Sequence, residues 1–88
     1  MTSVQVLTSE GCTPCLRVKR ILKEIQLEIP NVAVEEVDFA SPTGSKIAIE
    51  NNIPYPPAVF VDGKLVAKGK IYSEQLIAAI RAEDGSES

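Results

Sequence analysis

Thr8-Ser9-Glu10-Gly11-Cys12-Thr13-Pro14-Cys15-Leu16 holds the only two cysteines of the 88-residue chain, with two residues between them. It lies where a strand-like apolar run, Val4, Val6 and Leu7, gives way to a helical pattern. At this spacing, in the first turn of a helix, the two sulfurs can reach each other, and C-x-x-C at a strand-to-helix junction is a redox signature. Pro14 suits the first positions of a helix, where a missing N–H costs nothing. Cys12 then falls at the N-cap or just before it, facing the free N–H groups of the first turn. Those donors, with the positive end of the helix dipole, favour thiolate over thiol. Cys12 is therefore the expected nucleophile, and Cys15, one turn in, the expected resolving thiol.

Working outward, Val4 to Thr8 reads as a β-strand ended by Ser9-Glu10-Gly11. Val18, Ile21, Leu22, Ile25 and Ile29 recur at three- and four-residue steps, predicting a helix from Pro14 that Pro30-Asn31 stops. Its other face carries Arg17, Lys19, Arg20 and Lys23. Arg17 lies about 7 Å along the axis from Cys12 and Lys23 about 16 Å, against a screening length of roughly 8 Å at physiological salt. Only Arg17 is close enough to support the Cys12 thiolate; the other three read as a solvated face, and Glu10 acts in the opposite sense. Val32 to Phe39 reads as a second strand with a polar end, and Ser41-Pro42-Thr43-Gly44 as a turn or helix start before a short helix, Ser45 to Asn51.

Ile53-Pro54-Tyr55-Pro56-Pro57 has three prolines in four positions, which neither a helix nor a central strand accepts. Ala58-Val59-Phe60-Val61 and Lys64-Leu65-Val66-Ala67 flank Asp62-Gly63, the preferred pair for a two-residue type I′ hairpin turn, so these strands are expected to be antiparallel neighbours. Ser73 is the expected N-cap of a last helix, Glu74 to Ala82. The predicted order is β-α-β-α-β-β-α, a four-stranded mixed sheet flanked by helices. Residues 1–83 form one domain, and residues 84–88 read as a frayed acidic tail. Tyr55, Tyr72 and Phe39 read as packing residues, with Tyr55 near the cysteines if Pro57 is.

Composition narrows the function. A formal charge of −3 offers no basic field for nucleic acid or an anionic membrane. No window approaches the roughly 18 apolar residues of a membrane span, and the N-terminus has no charged region leading into an apolar run. The expected location is the cytoplasm, where a cysteine pair is catalytic or metal-binding rather than a staple. The chain has no histidine, which removes Cys–His activation and His-ligated metal together.

The C-x-x-C after the first strand, the element order and a proline entering the penultimate strand together resemble the thioredoxin/glutaredoxin superfamily in its minimal form, over residues 3–82. The resemblance implies a cis-proline beside the active cysteine, and Pro57-Ala58-Val59-Phe60 matches that motif. Thioredoxins usually carry Trp before the first cysteine and a buried acid six residues upstream of it; Gly11 and Val6 stand there. Glutathione-using members usually show a lysine three residues before the first cysteine, an aromatic before the second and a Gly-Gly-x-Asp segment entering the last helix. Here stand Ser9, Pro14 and Gly69-Lys70-Ile71-Tyr72-Ser73. The chain is thus similar to small redoxins served by a thioredoxin reductase.

The resemblance implies a thiol–disulfide oxidoreductase acting on disulfide-bearing proteins, reset by a reductase or a low-molecular-weight thiol. The Cys12–Cys15 disulfide is its redox centre, with no other cofactor and no metal, and the default oligomeric state is a monomer. Gly11, Thr13, Tyr55, Pro56, Pro57 and Gly69 are its candidate substrate-binding residues, supported by Pro14 and Arg17. Two alternatives are a glutathione-dependent glutaredoxin and a C-x-x-C carrier of Cu(I), for which two thiolates are apt ligands. Metal carriers of that kind usually have Met where Glu10 stands and run βαββαβ.

Overall fold

The computed structural model describes residues 2–84. Its elements are β1 (Thr2–Thr8), α1 (Thr13–Glu28), β2 (Val32–Asp38), α2 (Pro42–Glu50), β3 (Ala58–Val61), β4 (Lys64–Lys68) and α3 (Ser73–Asp84). The expected order holds, and it is not that of the metal-carrier alternative. The four strands form one sheet in the order β2-β1-β3-β4. β1 runs parallel to β2 and antiparallel to β3, which pairs antiparallel with β4, so the sheet is mixed.

The sheet separates two apolar clusters. Val4 and Val6 of β1, Val59 and Val61 of β3, Val18, Leu22 and Ile25 of α1, and Leu76 and Ile80 of α3 form the larger one. Leu7, Ala48, Ile53, Ala58 and Phe60 form the smaller one under α2. Two helices cover one face and a single short helix covers part of the other, so the strands alternate only locally. Ser3 is exposed and Gln5 half-buried on β1, while Leu7, farther along the same face, is buried. Adjacent Val66 and Ala67 both join the larger cluster because β4 carries an irregularity there: Val59 faces Ala67 while Phe60 faces Leu65, leaving Val66 as the extra residue of a β-bulge.

The Asp62-Gly63 turn has positive φ at both positions, +49° and +84°, as type I′ requires. Its first residue is tied further to β1, since the Asp62 carboxylate accepts from the Ser3 N–H at 2.9 Å.

Each helix begins earlier than expected, α1 by one residue, at Thr13. α2 begins at Pro42, three residues before Ser45, because Ser41 caps it: the Ser41 hydroxyl accepts the Gly44 N–H at 3.0 Å and Pro42 occupies the first turn. Gly44 is buried there, and a Cβ on it would collide with the Asp38 carbonyl at the end of β2. α3 begins at Ser73 itself, one residue earlier than a Ser73 cap would give. The Tyr72 carbonyl accepts the Gln75 N–H at 3.1 Å, and the Gln75 side chain reaches back to the Tyr72 N–H at 2.9 Å. The helix runs on to Asp84, the first residue of the expected tail, and the rest of that tail, residues 85–88, lies outside the described residues.

Candidate active site

The site forms where β1 ends and β3 begins. β1 leads into a turn closed by the Cys12 N–H donating to the Ser9 carbonyl at 3.2 Å. Gly11 takes φ +78° in this turn with nothing within 4 Å of where a Cβ would sit, so backbone conformation rather than space selects glycine. An L-residue in that left-handed region costs about 1–2 kcal/mol. This accounts physically for the absence of a tryptophan before the first cysteine.

Cys12 is the N-cap of α1, with extended backbone at φ −86° and ψ 104°. Its sulfur accepts the Cys15 N–H at 3.2 Å. It is also joined to the Cys15 sulfur in a disulfide, with the two Cα atoms 5.2 Å apart. Access to the two sulfurs is unequal: Cys12 is half-buried, whereas Cys15 is 1% exposed. Thr13 and Pro14 form the first turn of α1 and are exposed. Val6, where a buried acid would stand in many thioredoxins, is wholly buried in the larger cluster.

The second arm is the proline loop. The Pro56–Pro57 peptide is cis. Pro57 is buried, and its carbonyl accepts the Gly69 N–H at 2.9 Å, which ties the exit of β4 to the entrance of β3. Pairing of β3 with β1 sets Ala58 against Leu7, placing Pro57 at the sheet end from which the cysteine turn rises. Pro56 is half-buried and Gly69 takes φ +72°.

Tyr55 and Tyr72 are not packing residues: they are 62% and 45% exposed, while Phe39 is half-buried against the smaller cluster. Neither strand nor helix holds either tyrosine, so no periodic core position claims their rings. Tyr55 stands over Gly69, where a Cβ would lie 3.9 Å from its ring. Thr13, Pro14, Arg17, Tyr55, Gly69 and Lys70 enclose a groove of about 480 Å³ beside the cysteine turn. Three of the six candidate substrate-binding residues, Thr13, Tyr55 and Gly69, thus line one groove. The Arg17 guanidinium donates to the Ile71 carbonyl at 2.8 Å and lies 5.8 Å from the centre of the Tyr72 ring, so its charge is held on the β4–α3 connection. Lys19, one of the residues read as solvated, pairs with Glu36 at 3.3 Å.

A family model described as a thioredoxin domain matches residues 2–82. The chain belongs to the thioredoxin-domain family. With its C-x-x-C pair joined in a disulfide at the head of α1, this thioredoxin-domain protein is a thiol–disulfide oxidoreductase. It is similar to the thioredoxin-like protein BC3987, at 30% identity over 85% of this chain and 96% of that one, with a TM-score of 0.63. Oxidised mitochondrial thioredoxin 3 from Saccharomyces cerevisiae shares the fold at 22% identity, covering 92% of this chain and 77% of that one with a TM-score of 0.68. A chain from a structure addressing thiol resolution in yeast mitochondrial 1-Cys peroxiredoxin via glutathione/thioredoxin systems matches at 20% identity, over the same shares, with a TM-score of 0.70. No curated protein sequence matches significantly.

Sequence reasoning overlooked Leu16, which is 61% exposed and shares a cleft with Cys12. Its signal was available, since Leu16 falls outside the stripe of Val18, Leu22 and Ile25. It also passed over Lys68 and Lys70, which flank Gly69 on the rim of the proline-loop groove.

Proposed function

We propose that this protein reduces disulfides of other proteins in the cytoplasm, as part of electron transfer that maintains cellular thiol balance. The observation that carries the reading is the asymmetry of the cysteine pair: an accessible sulfur at a helix N-terminus, held by an amide donor, next to a sulfur that solvent scarcely touches. In the reduced protein the Cys12 thiolate attacks one sulfur of the substrate disulfide and expels the other as a thiolate, leaving a mixed disulfide. The Cys15 thiolate then attacks the Cys12 sulfur, releases the second substrate thiolate and closes the Cys12–Cys15 bridge. Two electrons pass to the substrate, whose two thiolates take up the protons lost by the cysteines. A reductase or a low-molecular-weight thiol returns the pair to dithiol. That one of the similar folds comes from work on a 1-Cys peroxiredoxin supports protein thiols as partners.

Equilibration against glutathione and dithiothreitol buffers tests the direction of electron flow. The expected reduction potential is about −270 mV or lower. A value above roughly −200 mV, or lasting glutathionylation of Cys12, would instead favour the glutaredoxin-like alternative.

Pro56 bears on how substrate is held. In the family, the residue before the cis-proline holds an extended substrate chain through its backbone N–H and C=O, a short piece of β-augmentation. Pro56 has no N–H, and its neighbour's carbonyl is already taken by Gly69. Docking then rests on the Pro56 carbonyl alone. Pro56→Val adds the missing donor and is expected to raise kcat/KM on a peptide disulfide several-fold, on the order of the 0.5–1.5 kcal/mol net worth of a hydrogen bond. Unchanged kinetics would argue that substrate backbone is not held there.

A further inference from the structure

Charge is divided across the cysteine turn. On the proline-loop side, the groove beside Thr13 and Pro14 runs through Tyr55 and Gly69 into a second hollow that reaches Asn52 and Lys68. Arg17, Lys68 and Lys70 border these two spaces, and no carboxylate lines either. None of the three is neutralised by an acid among the described residues. Arg17 donates to the Ile71 carbonyl, Lys68 to the Asn52 carbonyl at 3.3 Å, and the Lys70 side chain makes no hydrogen bond or ion pair among the described residues. The two ion pairs among the described residues employ other lysines, Lys19 and Lys64. On the opposite side, Glu10, Glu36 and Asp38 line the hollow with Lys19, whose charge is spent on Glu36. A chain with a formal charge of −3 thus presents a cationic groove on one side of its reactive cysteine and a net anionic one on the other.

We infer that the preferred substrate is a polypeptide disulfide flanked on one side by acidic residues, which lie in the Tyr55–Gly69–Lys70 groove, and on the other side by residues without negative charge. The inference rests on the protein-disulfide reductase reading of the same site. The rings of Pro14 and Tyr55 give the groove an apolar floor for the peptide stem, and the cations at its rim receive the carboxylates. Charges so placed act mainly on encounter and orientation, so their effect belongs in kcat/KM and fades with salt.

The test uses a fixed peptide disulfide carrying Glu-Glu, Gln-Gln or Lys-Lys on the N-terminal or the C-terminal side of its cysteine, with glutathione disulfide as a small anionic comparison. For one of the two sides, kcat/KM should fall in the order Glu, Gln, Lys, with about a 10-fold span at low ionic strength that shrinks towards unity in high salt. Lys68→Gln combined with Lys70→Gln, both at exposed positions, should compress that span to about 2-fold. Equal rates for all peptides, a span the double variant leaves intact, or faster turnover of glutathione disulfide than of the best acidic peptide would each overturn the inference. No turnover of any peptide would overturn the reductase reading itself, and the inference with it.

Discussion

Cys12→Ser brings disulfide turnover down to the uncatalysed rate, while Cys15→Ser stops the reaction after its first half, with substrate held covalently on Cys12. The difference follows from position. Cys12 presents the accessible sulfur at the capped end of α1, so its loss removes the attacking group. Cys15, at 1% exposure, is reached by the neighbouring sulfur rather than by a bulky substrate, so its loss leaves the first attack in place and removes the second. Intact-mass spectrometry under non-reducing conditions should show the Cys15→Ser adduct at the summed mass of protein and substrate, released by dithiothreitol. An adduct forming instead on Cys15 in the Cys12→Ser protein, or equal residual activity in both variants, would reverse or remove the assigned roles.

Gly44→Ala should cost about 3 kcal/mol, the upper end of what overpacking does to a protein interior, and lower Tm by roughly 12–24 °C in a domain of this size. The added methyl meets the Asp38 carbonyl, with the Asp38 carbonyl carbon 2.8 Å and the Phe39 Cα 3.1 Å away. All three are main-chain atoms and cannot rotate aside as a long side chain would. The Asp38 carbonyl is also in use, accepting the Ser41 N–H at 3.0 Å and the Ser41 hydroxyl at 2.7 Å, so displacing it strains the cap of α2 as well. Urea unfolding followed by far-UV circular dichroism measures the cost. A loss under 1 kcal/mol would mean that α2 rides on the sheet with room to spare.

These two predictions sit at opposite ends of what the sequence discloses. Cys12 and Cys15 could be read directly because two thiols at that spacing, ahead of a helical stripe, have few uses in a chain without histidine. The Asp62-Gly63 hairpin was equally plain, since a two-residue turn needs only its own residues to be recognised. The cis peptide at Pro57 came from resemblance, and the structure places it there. Gly44 was invisible because its constraint is a contact with Asp38, across a change of element that spacing does not describe. Pro42-Thr43-Gly44 has the composition of a turn, and only the Ser41 cap makes it helix. The packing reading of the tyrosines failed for a related reason: aromatic residues are placed in cores by habit, but loops carry Tyr55 and Tyr72 outward, Tyr55 into the lining of the groove. Arg17 was singled out by its distance along α1, but the direction of its side chain is set by the Ile71 carbonyl, a partner 54 residues away.

The bulge at Val66 has a bearing on how such a sheet behaves when crowded. Both outer strands leave a row of backbone donors and acceptors open, the kind of margin on which another chain can propagate a sheet. β4 is poorly suited as that template. Its ladder is interrupted at Val66, and its ends carry the exposed Lys64 and Lys68. β2, the other margin, presents exposed Glu35 and Glu36 in mid-strand. An incoming strand at β4 would have to desolvate lysines and match an irregular spacing before gaining a continuous set of hydrogen bonds. The irregularity that seats two neighbouring residues in the core therefore also discourages aggregation along the sheet's open side.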